Sequence, residues 1–156
     1  MKLRGSIVTL LLVCALTPLA IAQSAMVPST NEQYVPRLGD IMNAVQTRHM
    51  KLWFAGKATN WDLAGYELRQ LKAGLVEAAV LYEGIPVTNV TTMSQTVQSI
   101  SDAIAAKDSK QFASAFGELT NGCNACHTQM QRGFIAIQTP TVSPFSNQAF
   151  ASPTKP

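Results

Sequence analysis

The chain has 156 residues, 47% hydrophobic and 13% charged, with a formal net charge of +3, enough for one domain with its own core but not for two. The 12 Lys and Arg form no clustered patch, which argues against nucleic-acid binding. Two of the positive charges, Lys2 and Arg4, lie in a segment expected to be removed, which leaves 134 residues with a net +1 and no electrostatic pointer to a partner.

The first element is that segment. A basic start, Met1-Lys2-Leu3-Arg4, is followed by an apolar run over 7–19 and then Ala20-Ile21-Ala22. This is the pattern of a secretory signal peptide cut after Ala22. The run is shorter than the ~20 apolar residues a membrane span needs, and no later stretch approaches that length. The expected organisation is a signal peptide over 1–22, a helical domain over 23–138 and a Pro-rich tail over 139–156. The expected location is periplasmic or otherwise exported, with no membrane span after cleavage. Cys14 leaves with the leader, so Cys123 and Cys126 are the cysteines of the mature chain.

Four helices follow, each with apolar positions recurring at steps of three and four. The first is expected over about 35–55, with a seam of Val35, Leu38, Met42, Val45, His49 and Leu52. Gly56 and Lys57 close it, and Thr59 or Asn60 caps the second helix. That helix is expected over about 61–83, through Trp61, Ala64, Leu68, Leu71, Leu75, Ala78 and Tyr82. Gly84, Pro86 and Asn89 make a break. The third helix is expected over about 90–107, through Val90, Met93, Val97, Ile100 and Ile104. Asp108, with Gln111 three residues on, reads as a capping box. It opens a fourth helix over about 109–138, through Phe112, Phe116, Leu119, Cys123, Cys126, Met130, Phe134 and Ile137. Short connections between these stretches predict an all-α, antiparallel up-down-up-down four-helix bundle. The tail, with Pro140, Pro144, Pro153 and Pro156, excludes helix. Phe145 and Phe150 give it the means to dock along the bundle and over part of a cofactor's edge; the alternative is a frayed, solvent-exposed terminus.

Residues 122–128 read Gly-Cys-Asn-Ala-Cys-His-Thr. Cys-x-x-Cys-His is the attachment signature of c-type haem. On a helix, positions i, i+3 and i+4 share a face. Cys123 and Cys126 can therefore add to the two haem vinyl groups while His127 reaches the iron. Asn124 and Ala125 are expected to point away and be free to vary. A structural zinc site wants four ligands, and beyond this motif the chain offers one more histidine, His49, and no further cysteine after the leader. Gly122 allows either a close approach of the porphyrin or close helix packing. Arg132, five residues past His127, is placed either near the haem propionates or in solvent.

A haem motif on the last helix of an antiparallel four-helix bundle resembles the class II c-type cytochromes, cytochrome c′ among them. The resemblance covers about residues 33–138 and rests on topology and one motif. It implies one covalent haem c with His127 as proximal iron ligand. It also implies either a methionine of the first helix as sixth ligand or an apolar open side that binds small gases.

Met42 and His49, seven residues apart on one face, are the candidates for a distal ligand. If the end of the first helix near Ala55 lies level with Ser109, then at ~1.5 Å per residue Met42 lies about 20 Å below that end, His49 about 9 Å and His127 about 27 Å. Height therefore favours Met42. His49 is the alternative ligand or a core histidine near Trp53 and Trp61, and Met42 has ordinary core packing as its other reading.

No Ser/His/Asp set, phosphate-binding glycine loop or paired carboxylates beside the haem motif is legible, so an enzyme is not expected. The expected role is electron transport with redox partner proteins. The alternative is a five-coordinate haem protein that binds nitric oxide or carbon monoxide as a sink or sensor. The apolar seams also leave room for a homodimer.

Overall fold

A computed structural model describes residues 34–153. The expected signal peptide, 1–22, lies outside the described residues. Four helices follow one another: α1 (Leu38–Lys57), α2 (Trp61–Leu81), α3 (Val87–Ala106) and α4 (Ser109–Gln129). Neighbouring helices run antiparallel, α1 against α2, α2 against α3 and α3 against α4, with α1 returning to touch α4. There is no strand among the described residues. The all-α four-helix bundle predicted from the seam pattern is what the chain forms.

The helix ends follow local chemistry. α1 starts three residues later than expected because Pro36 holds Val35 in extended backbone, leaving Arg37 as the N-cap. Val35 is accordingly outside the core and 53% exposed. Of the two candidate caps for α2, Asn60 does the capping: its side chain accepts from the Leu63 N–H at 3.2 Å. Thr59 turns the chain through a left-handed conformation, φ 54°. α3 begins at Val87, earlier than expected, with Pro86 as N-cap at ψ 132°. Asp108 caps α4, its Oδ1 accepting from the Lys110 and Gln111 N–H groups at 2.9 Å each. The reciprocal half of a capping box does not form, since the Asp108 N–H is already spent on the Ala103 carbonyl at 3.0 Å. Asp108→Ala is expected to cost about 1 kcal/mol, read in urea as a lower midpoint with an unchanged slope.

The expected seams build the core. Val45 and Leu52 of α1, Ala64, Leu68, Leu71 and Ala78 of α2, Met93, Val97 and Ile100 of α3, and Phe112, Phe116 and Leu119 of α4 are all buried. An aromatic cluster closes one end of the bundle. Trp53 packs against Phe116 with centroids 4.8 Å apart, and Trp61 stands edge-on to Phe112 at 5.9 Å. A Cβ on Gly56 would overlap the Phe112 ring, so glycine there lets α1 and α4 approach closely. At mid-height Glu67, 1% exposed, is paired with Arg48 at 3.0 Å, the partner that a buried carboxylate requires. Among the described residues no helix is long and apolar enough to cross a membrane.

The fourth helix ends nine residues before its predicted end. After Gln129 the Met130 N–H still bonds to the Cys126 carbonyl, but Gln131 takes a left-handed φ of 57° and the Arg132 N–H folds back to the His127 carbonyl at 2.7 Å. Phe134 and Ile137, expected on the helical seam, lie beyond the helix, and Phe134 is 81% exposed.

The tail docks, as its phenylalanines suggested. Phe150 packs on Phe54 at 5.6 Å and its carbonyl accepts from Asn60 Nδ2 at 3.1 Å. Lys51 Nζ lies 4.9 Å over the Phe145 ring. These contacts are made near the Gly56 end of α1.

Candidate functional site

α4 carries the Cys-x-x-Cys-His motif on its last two turns. Cys123 and Cys126 are free thiols, both partly buried. Cys123 packs against the core cluster. Burial first, then the neighbouring Cys126, push its thiol up to about 11. Among the described residues no three His, Cys, Asp or Glu side chains converge on one point fit for a bare metal ion.

His127 Nδ1 lies 2.7 Å from the Ile135 carbonyl oxygen. A carbonyl only accepts, so Nδ1 carries a proton, and in the neutral imidazole Nε2 then keeps its lone pair. A metal-bound histidine has this same arrangement, in which the second nitrogen donates to a fixed acceptor. Asn124 does not point away freely. Its Nδ2 donates to the Ile137 carbonyl at 2.8 Å, and its Oδ1 accepts from the Ile137 N–H at 2.7 Å. The motif is thereby tied to residues 135–137, the part of the chain after α4 that runs beside it. Phe145 and Phe150 sit well up the bundle from there, on Phe54, Asn60 and Lys51, so they do not cover the edge of the motif as expected.

Gly122 is resolved in favour of packing. A Cβ there would stand 2.6 Å from the Met93 sulfur of α3, so α3 fills the space that a porphyrin approach would need. Arg132 is exposed and its guanidinium bonds to the Gln131 carbonyl at 3.3 Å.

His49 is 2% exposed. Its Nε2 lies 2.9 Å from Thr120 Oγ1, whose hydroxyl in turn lies 3.0 Å from the Phe116 carbonyl. The carbonyl takes the one hydroxyl proton, so His49 Nε2–H is the donor to Thr120. The imidazole also packs on the Phe116 ring at 4.4 Å. Burial pushes its pKa down from 6.5 to about 4, which leaves it neutral at pH 7.

The contacts His49–Thr120 and Trp53–Phe116 fix how α1 and α4 are staggered. Met42 lies seven residues down α1 from His49, and His127 seven residues down α4 from Thr120. The two are therefore level, and His49 is about 10 Å higher at ~1.5 Å per residue. The sequence-based height difference of nearly 20 Å for His49 was too large, because Ala55 lies opposite the second turn of α4 and not opposite Ser109. Below the His49–Thr120 bond, Leu38, Met42, Cys123, Cys126 and His127 are all only partly buried.

These residues suit a covalently held haem. Two free thiols and an imidazole with an open Nε2 share one helical face, and a thioether lies level with that imidazole on the antiparallel helix. Comparison with protein-family models, curated proteins and solved structures finds no match to this chain.

Proposed function

We propose that the protein is an exported monohaem c-type cytochrome that acts in electron transfer, built like the class II cytochromes. The observation that carries the reading is the 2.7 Å contact of His127 Nδ1 with the Ile135 carbonyl, which in the neutral imidazole leaves Nε2 as a ligand beside the two thiols of the motif. When bound, the haem supplies a one-electron iron couple. Cys123 and Cys126 would hold it covalently through their sulfurs, His127 would ligate its iron, and Met42, level with His127, would supply a second ligand. His49 stays in the core, since ligation through Nε2 breaks its bond to Thr120. The basic and apolar leader over 1–22 supports export.

The test is expression of the full chain with an exported c-type haem maturation system. One covalently bound haem per chain is expected in the wild type. Cys123→Ala and Cys126→Ala together are expected to abolish covalent attachment, read as haem absent from denatured protein. His127→Ala is expected to leave little or no stably ligated haem. A wild-type protein recovered without haem under these conditions rejects the proposal.

A further inference from the structure

We infer that Asn124 is a positioning residue for the proximal histidine: by clamping both backbone groups of Ile137 it places the Ile135 carbonyl against His127 Nδ1–H. The inference rests on the reading of His127 as an iron ligand and adds a role for a position inside the motif that the attachment chemistry leaves free.

The segment after α4 has little else to hold it. Gln131 takes a left-handed conformation, which an ordinary L-residue adopts only at a cost. Phe134 is 81% and Ile135 42% exposed, so apolar burial does not fix the turn. Hydrogen bonds do. The Arg132 N–H returns to His127 and the Ile135 N–H to Arg132, at 2.7 and 2.8 Å. These shape the turn locally, and each is made within five residues along the chain. The tie across from α4 to the outgoing strand of chain is the pair from Asn124, at 2.8 and 2.7 Å. Two parallel bonds from one planar carboxamide define both distance and direction. Ile135 is two residues before the clamped Ile137, so its carbonyl moves with it.

The consequence reaches the imidazole. A fixed acceptor at Nδ1–H sets the ring orientation and raises the basicity of Nε2. A more basic ligand favours ferric over ferrous iron, which lowers the reduction potential. With the clamp removed, water replaces a mobile carbonyl as acceptor, the ring donates less, and the potential rises. Outer-shell partners of this type are worth roughly 10- to 100-fold.

The test compares the haem-loaded mature chain as wild type, Asn124→Ala and Asn124→Asp. All three are expected to hold one covalent haem and to unfold in urea with the same slope. In the reduced protein the His127 Nδ1 proton, followed by nitrogen-edited NMR, is expected to exchange faster in Asn124→Ala than in the wild type. The potential is expected to rise by about 59 mV, the one-electron equivalent of tenfold. Asn124→Asp keeps the acceptor for Ile137 N–H and loses the donor, so its Nδ1 proton exchange falls between the two; its added charge acts on the potential directly, so exchange alone carries the comparison should Asn124→Ala fail to fold. An unchanged proton exchange rate and potential in the variants overturns the inference. Should the wild type hold no haem, the functional reading fails, and the same proton in the haem-free chain decides the clamp. Faster exchange in the variant than in the wild type upholds the clamp, and equal exchange refutes it.

Discussion

Acidification from pH 7 to pH 4 is expected to remove about 3 kcal/mol of stability through His49 alone. Its folded pKa is lowered to about 4 from the ordinary 6.5 by burial. Between those values the unfolded chain binds a proton that the folded chain does not, so protons favour unfolding. The contribution is whole above pH 6.5 and is lost as the pH falls toward 4, where the folded protein also takes up the proton. At about 1.36 kcal/mol per pH unit, the gap between 6.5 and about 4 gives that figure. It is a large share of the roughly 5–15 kcal/mol that holds a domain of this size. The measurement is urea unfolding at a series of pH values for the wild type and His49→Gln, whose amide can still donate to Thr120. Carboxylates titrate in both proteins, so the difference between the two profiles isolates the histidine. A difference profile flat between pH 7 and 4 would mean that His49 is not the buried neutral group described.

The His49 network also shows what a sequence can and cannot give. The period of the seam placed His49 on the inner face of α1, and its neighbours Leu52 and Val45 are buried as that period requires. The same period placed most of the core, because a helix repeats its buried face without reference to anything distant, but it passed over Ile41, Ala55, Ala103 and Ala115, which are also buried. The partner of His49 was not legible. Thr120 is 71 residues away, and the stagger of α1 against α4 that brings them together is a tertiary quantity. It is set by such contacts as Trp53 on Phe116 and the gap left by Gly56. Seam continuity also misled: Phe134 and Ile137 keep the helical spacing, yet α4 stops at Gln129. What stops it is a left-handed residue before Gly133 and the pull of Asn124 on Ile137. Within the motif, Cys123, Cys126 and His127, the residues the proposed function uses, could be read from spacing. Asn124 could not, since its two bonds go to backbone atoms that leave no mark in the sequence.

Met42→Ala is expected to convert a six-coordinate low-spin haem into a high-spin one and to lower its reduction potential by on the order of 0.1–0.3 V, a fraction of the ~0.8 V over which axial ligands set haem potentials. Methionine opposite histidine raises the potential, so its loss shifts the couple downward. The argument is one of height and chemistry. The side chain lies level with His127 on the antiparallel helix, is partly buried below the closed half of the α1–α4 seam, and ends in a soft sulfur suited to iron. His49 is the control. It lies about two turns higher and already donates Nε2–H to Thr120, so His49→Gln is expected to leave the spectrum and the potential as they are. The measurement is an optical and electron-paramagnetic-resonance spectrum of the ferric protein with a redox titration. The long-wavelength methionine–iron band is expected in the wild type and in His49→Gln, and absent in Met42→Ala. A wild type that is already high-spin, and that binds carbon monoxide on reduction, would instead assign the lower α1–α4 seam to gas binding. Met42 would then line the distal side without ligating. Its replacement by alanine would widen that space by most of a side chain, and the change would be read in the rate of carbon monoxide binding and not in the spin state.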